Sequence, residues 1–158
     1  MKRRDLMLGG GAALLSAPAY AQPAQNRVLK FVPQANLTSV DPVWTTATVT
    51  RNHGYMVFDC LYGLDDQFRP YPQMAEGTAF ENDNRTATIT LRSGLFFHDG
   101  EAVRAADAVA SLKRWMRRSP IGQKLNEYTD ELVALDDRRL RFRLKRPFPL
   151  LLNALGSV

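Results

Sequence analysis

Two short segments alternate strictly between apolar and polar residues, and this pattern constrains the fold more than any other feature of the sequence. In residues 86–92 and again in residues 139–145, every second side chain is apolar. The apolar positions are Ala87, Ile89, Leu91, Leu140, Phe142 and Leu144. A period of two with one polar face is typical of half-buried strands in a largely antiparallel sheet. Asp136 and Asp137 predict a turn before the second strand.

Helical periodicity fills the interval between these strands. Residues 105–118 carry one apolar stripe, which predicts an amphipathic helix, and Ser119-Pro120 is expected to end it. The stripe is Ala105, Ala108, Val109, Leu112, Trp115 and Met116. A last apolar run, 148–155, follows Pro147 and Pro149 and predicts the start of another helix.

The first half of the chain gives weaker signals. The β-branched and aromatic run 28–32 predicts a buried strand. Apolar spacing over 46–61 predicts a helix, with Thr45 or Thr46 as its cap and Gly63 as its stop. Together the patterns indicate a mixed α/β (α+β) fold.

The N-terminus is typical of a bacterial export signal. Basic residues at 2–4 precede a short apolar run, and Ala19-Tyr20-Ala21 fits the small-x-small rule, so cleavage is expected after Ala21. Arg3-Arg4 resembles a twin-arginine signal, and the general secretory route is the alternative. Both routes predict a product in the periplasm.

The composition excludes several classes of protein. Removing Lys2, Arg3, Arg4 and Asp5 with the signal lowers the formal net charge of +5 by two, to +3, which demands no nucleic-acid partner. The single cysteine, Cys60, excludes an internal disulfide, and its apolar neighbours predict a buried, unreactive thiol.

Neither histidine is part of a convincing catalytic or metal-binding set. His98-Asp99 could hold a general base, but Asp99-Gly100 is a common turn pair, and the turn interpretation is favoured. His53 has no histidine or acid three or four residues away, so a structural or ligand-lining role is favoured over metal binding.

The basic face of the second strand and Trp44 are the remaining candidate functional features. The cations at 139, 141, 143 and 145 could grip phosphates, but a solvated face balanced by acids is favoured. The expected balancing acids are Glu127, Asp130, Glu131, Asp136 and Asp137. Trp115 is expected in the core, whereas Trp44, in a loop after Asp41-Pro42, is a candidate to line a cleft.

An ordered series of motifs resembles the N-terminal part of the family 5 solute-binding proteins of ABC transporters, the dipeptide, oligopeptide and nickel group. The series covers residues 28–156. It comprises strand 29–32, Ser39-Val40-Asp41-Pro42, Leu61-Tyr62-Gly63-Leu64, Pro72-Gln73-Met74-Ala75-Glu76, Thr88-Ile89-Thr90-Leu91-Arg92 with Gly94, Phe97-His98-Asp99-Gly100, Ala105-x-Asp107 and Arg143-Leu144-Lys145-x-Pro147-Phe148-Pro149. Arg104 departs from the family, which often has a capping Thr there.

The resemblance implies a type II periplasmic-binding-protein-like fold of two lobes, of which only the N-terminal portion is present. Residues 1–21 would be the signal peptide, 22–58 the start of lobe I, and 59–158 an extra subdomain of that lobe. Family members are several times longer, so the chain would be a fragment or a truncated gene product.

The resemblance also implies a function. It predicts a monomeric periplasmic receptor, not an enzyme and without a cofactor or metal, that captures peptides or similar small polar solutes for an ABC permease. The expected ligand-binding residues are Trp44, Thr46, Ala47 and Thr48, the last three offering main-chain groups to an extended ligand. The alternatives are a truncated, exported orphan interaction module without transport activity and, third, an enzyme that uses His98.

Overall fold

The computed structural model describes residues 29–157, and the chain divides into two units between Val32 and Pro33. In the first unit, residues 29–32 form no regular element, and Leu29 and Val32 are exposed. The predicted strand 28–32 is therefore wrong over these residues, and Val28 lies outside the described residues. A strand needs a hydrogen-bonded partner, and no described segment pairs with this one.

The second unit contains four helices and six strands among its described residues. Their order is α1 (Thr48–Val57), β1 (Tyr62–Leu64), β2 (Pro70–Pro72), β3 (Ala75–Glu81), β4 (Thr86–Leu91), α2 (Ala105–Trp115), α3 (Pro120–Tyr128), β5 (Thr129–Ala134), β6 (Arg139–Leu144) and α4 (Leu151–Ala154). No helix in this part of the chain is long and apolar enough to cross a membrane.

The four longer strands form one antiparallel sheet in the order β3-β4-β6-β5, beside a separate β1-β2 hairpin. The two strands predicted from alternation are confirmed as β4 and β6, and they lie side by side at the centre of the sheet. Their apolar residues pair directly, Ile89 with Leu140 and Ala87 with Phe142, and all four are fully buried. One face of the sheet is therefore the core.

Helices α2 and α3 supply the other side of this core. Val109 and Trp115 from α2, Met116 directly after it, and Leu125 from α3 are buried in the same cluster as the sheet residues. The helices come close because residue 122 is glycine: a Cβ there would lie 2.9 Å from both Trp115 O and Met116 Cα. Real Cβ atoms essentially never make contacts this short, so a side chain would force the backbone segments apart.

The predicted helix 105–118 is confirmed, but it ends at Trp115. Ser119-Pro120 does not simply stop it, because Pro120 is the first residue of α3, a position where its missing N–H costs nothing. At the other end Arg104 has no acceptor to cap α2. Asp107 replaces part of that function, since its Oδ2 accepts the Arg104 N–H at 2.9 Å.

The predicted helix 46–61 is shorter than expected and its predicted cap is wrong. It spans Thr48–Val57, its N-cap is Ala47, and no side chain caps it. Gly63 lies in β1 and does not stop the helix. Leu61 is buried in the core beyond the helix, because a short apolar run fits a strand as well as a helix. The final helix is confirmed as α4, which begins at Leu151.

We expect Phe142→Ala to lower the free energy of unfolding by about 3–5 kcal/mol, because Phe142 is fully buried at the centre of the sheet and the substitution leaves a cavity. Urea denaturation measures the change. Phe97→Ala is the matched control, since Phe97 is 46% exposed and its loss should cost little. Equal losses in the two variants would contradict this account of the core.

Candidate ligand-binding groove

A tight turn presents Trp44 to solvent. The Asp41 side chain accepts the Val43 N–H at 3.0 Å, and the Trp44 N–H donates to Asp41 O at 3.2 Å. An aspartate that bonds its own backbone two residues on makes the turn conformation stable locally. Trp44 is 66% exposed at the end of this turn.

An ion pair fixes the turn against α2. Both carboxylate oxygens of Asp41 accept from the Arg114 guanidinium, and the Oδ1–NH1 distance is 3.3 Å. The hydrogen bond from Arg114 is the main reason that the pKa of Asp41 is lowered, with the Val43 and Trp44 N–H groups adding to it. A two-point arginine–carboxylate contact holds orientation as well as distance.

The turn and the end of α2 enclose an open groove of about 440 Å³. Its lining residues are Trp44, Ala110, Lys113, Arg114, Arg117 and Arg118. The Arg118 guanidinium carbon lies 3.9 Å from the centre of a Trp44 ring, a cation–π contact. The groove therefore has one aromatic wall and one strongly basic wall, and its volume falls within the range of small-molecule sites.

Thr46, Ala47 and Thr48 are exposed at the start of α1 and are not among the residues that line the groove. The Thr45 hydroxyl accepts the Ala47 N–H at 3.2 Å. The start of α1 is tied to the loop before it by buried Thr50, whose hydroxyl donates to Ser39 O at 2.8 Å. Of the four predicted ligand-binding residues, the structure places only Trp44 in the groove.

His98 and Asp99 lie exposed in a turn, as predicted. Asp99 Oδ1 accepts the Glu101 N–H at 3.0 Å, and Gly100 has a φ of +91°, a conformation that glycine adopts without strain. His53 lies within α1, half-buried, and its Nδ1 has no hydrogen-bond partner among the described residues. No group of three metal-ligating side chains occurs in residues 29–157.

The basic face of β6 is balanced by acids, as predicted. Arg139 pairs with Asp136, Arg143 with Asp130, and Arg141 with Glu131 at 3.1 Å. Lys145 differs in detail, because its Nζ donates to the backbone carbonyl of Glu127 at 3.1 Å. The Glu127 carboxylate pairs instead with Lys124. Asp137 contributes its carbonyl, which accepts the Ala105 N–H.

Cys60 is half-buried, less than the sequence predicts. Burial, and secondarily the charge of Asp59, raise the pKa of its thiol to about 11. The thiolate is the reactive form, so at neutral pH this side chain is chemically quiet.

The basic wall of the groove was missed by the sequence reasoning. Lys113, Arg114, Arg117 and Arg118 stand close together in the sequence, and that cluster was an available signal. Their position beside Trp44 was not available, because the Asp41–Arg114 contact joins residues 73 apart in the chain.

The sheet, the helices that cover it and the turn before α1 have the fold of a part of the type II periplasmic binding proteins. The sequence model of "Bacterial extracellular solute-binding proteins, family 5 Middle" matches residues 69–158. The chain belongs to this family of solute-binding proteins.

Named relatives are similar to this chain in sequence. A probable peptide ABC transporter periplasmic-binding protein of Sinorhizobium fredii is 40% identical over 164 residues, covering 100% of this chain and 30% of that protein. The glutathione-binding protein of Escherichia coli K12 is 29% identical, covering 94% and 29%. The chain thus spans about 30% of the length of these relatives.

Solved structures agree on the fold. The peptide-binding pheromone receptor PrgZ superposes with a TM-score of 0.67 and 23% identity, over 75% of this chain and 27% of that one. NikZ of Campylobacter jejuni, in complex with Ni(L-His), gives a TM-score of 0.64 and 22% identity over 77% and 25%.

We expect Arg114→Gln to raise the pKa of Asp41 toward its ordinary value of 3.8, measured by NMR titration of the carboxyl carbon. The Val43 and Trp44 N–H bonds should keep part of the lowering. Because the folded pKa is below the unfolded one, the pair stabilises the fold fully above about pH 4, and this contribution is lost as the pH falls through the folded pKa.

The internal control is Asp65, whose pKa is lowered chiefly by the Arg69 backbone N–H and should not change in Arg114→Gln. An Asp41 pKa that is the same with and without Arg114 would contradict the ion pair.

Proposed function

We propose that the chain is the N-terminal part of the solute-binding component of an ABC importer, which captures peptides or similar small polar solutes for a membrane permease. Membership of the solute-binding family supports this proposal. The observation that carries it is an exposed tryptophan on the wall of an open groove, because an aromatic ring that solvent can reach offers a ligand a large apolar contact.

In this proposal Trp44 contacts the solute, and the backbone at Thr46, Ala47 and Thr48 borders it. The start of α1 supports such a role, because no side chain caps the helix and its first N–H groups have no intrahelical partner. An extended peptide could accept hydrogen bonds from these groups. The Thr50–Ser39 bond would keep that segment in place.

The remaining assignments follow from the same proposal. Residues 1–21 would direct export to the periplasm and be cleaved after Ala21, residues 22–58 would begin lobe I, and residues 59–158 would form its extra subdomain. The relative named as a peptide ABC transporter periplasmic-binding protein supports a periplasmic location and delivery of the solute to an ABC permease. A monomeric state is part of the same proposal. In this proposal the protein is not an enzyme, and His98 has only a structural role in the turn that contains it.

Two-lobe capture requires a product longer than this chain, since the relatives are more than three times its length. We therefore expect the native product in a periplasmic extract to begin at Gln22 and to have an intact mass several times that of residues 22–158. Mass spectrometry of the purified product tests this. A mass equal to residues 22–158 would favour the orphan interaction module instead, because a chain without the second lobe cannot close on a solute.

We expect Trp44→Ala to weaken binding of a bound peptide by about tenfold or more, and Trp44→Phe to weaken it less, because an aromatic contact is among the largest single contributions at a binding site. A mixture of neutral di- and tripeptides first identifies a peptide that binds the native product, and isothermal titration with that single peptide measures the affinity. Tyr71→Ala is the control, since Tyr71 is an exposed aromatic residue of β2 that does not line the groove. Equal effects at Trp44 and Tyr71 would remove Trp44 from the site.

A further inference from the structure

Three of the four cations that line the groove have no acidic partner among the described residues. Lys113, Arg114, Arg117 and Arg118 line it, and among the described residues only Arg114 has a carboxylate partner, Asp41. The arginines on the outer face of β6 differ, since each of them pairs with an acid. The groove therefore keeps an excess of positive charge that the sheet does not.

The dipole of α2 accounts for only part of this excess, because Lys113 and Arg114 lie in its last turn, whereas Arg117 and Arg118 lie beyond its end at Trp115. Cations near a helix C-terminus commonly interact with its last carbonyls. Here, however, the carbonyls at the end of α2 already accept backbone N–H groups: Arg114 O from Arg117, and Trp115 O from both Arg118 and Ser119. The basic side chains are thus not needed to satisfy those carbonyls.

Arg118 is held in a way that leaves its hydrogen-bond donors unused. Its guanidinium lies over the face of Trp44 at 3.9 Å, and it makes no side-chain hydrogen bond to any other described residue. A cation–π contact leaves the N–H groups of a guanidinium able to donate, and a planar guanidinium can receive a carboxylate through two of them. The Trp44–Arg118 pair therefore presents hydrogen-bond donors that a ligand could use.

We propose that the groove is a subsite for a side-chain carboxylate of the bound solute, so that this receptor favours peptides with acidic side chains over those without them. The inference rests on the proposed function, and it adds that the ligand is negatively charged. The carboxylate binds the N–H groups of Arg118 with Arg117 and Lys113 beside it. The ligand's apolar part lies against the exposed ring of Trp44, and Asp41 keeps Arg114 in place as a wall of the groove.

The test uses the native product, the dipeptide Asp-Asp as probe and its neutral isostere Asn-Asn as control ligand. Isothermal titration gives affinity, and the fluorescence of exposed Trp44 reports contact with the groove. Lys113→Gln/Arg117→Gln removes two groove cations and leaves the Trp44–Arg118 and Asp41–Arg114 contacts intact. The matched variant is Lys145→Gln/Arg146→Gln, which changes the same residue types and the same net charge outside the groove.

We expect Asp-Asp to bind the unsubstituted protein at least about tenfold more tightly than Asn-Asn, since the difference is a charge-assisted contact. The preference should fall markedly in Lys113→Gln/Arg117→Gln, where Arg118 remains as the direct partner, persist in Lys145→Gln/Arg146→Gln, and weaken as salt is added. Circular dichroism confirms that each variant is folded.

Three results overturn the proposal: equal affinity for the two dipeptides, absence of saturable Asp-Asp binding, or an equal loss in both double variants. The two proposals fail separately. If neutral peptides bind and acidic ones gain nothing, the receptor function stands and the carboxylate subsite falls. If Asp-Asp binds in the groove while the mixture of neutral peptides does not bind, the subsite stands and general peptide capture falls.

Discussion

Burial of every second side chain on β4 and β6 is the constraint on which the second unit depends. The register pairs Ile89 with Leu140 and Ala87 with Phe142, so one face of the two central strands is fully apolar. A shift by one residue would bring the arginines of β6 into the core. Helices α2 and α3 must then cover that face, and this covering places the end of α2 beside the turn that carries Trp44.

The same alternation separates two kinds of charged surface. On the outer face of the sheet, Arg141 stands opposite Thr88 and pairs with Glu131 from the neighbouring strand. Charges on adjacent strands are close enough to neutralise one another, which makes a solvated and stable face. At the end of α2 the neighbours are other cations and an aromatic ring, so the charge is left for something outside the described residues. The arginines of β6 thus form ion pairs on the surface of the sheet, whereas Arg117 and Arg118 at the groove form none with the described residues.

The elements that could be predicted from the sequence are those whose own periodicity determines the buried face. Strands β4 and β6 and helix α2 were predicted because their periodicity sets which face is buried, and the ordered motifs identified the family. The helix predicted over residues 46–61 was too long, because Leu61 packs in the core beyond α1 and only tertiary contacts decide where that helix ends. Strand β3 was not predicted, since most of its residues are half-buried or exposed and its pattern is correspondingly weak. Likewise α3 was hidden by Ser119-Pro120, which can end one helix or begin another.

The arrangement of the groove could not be predicted from the sequence. Exposure of Trp44 followed from its place in a loop after Asp41-Pro42, and the cations of α2 could be counted. That they face each other depends on Arg114 reaching Asp41, a contact between segments with no local relation. Asp41 serves three purposes at once: it shapes the turn through Val43, it fixes the turn to α2, and it neutralises one groove cation. Because a single carboxylate is occupied in all three, none is left to neutralise Lys113, Arg117 or Arg118, and the positive charge of the groove follows directly from how the loop is anchored.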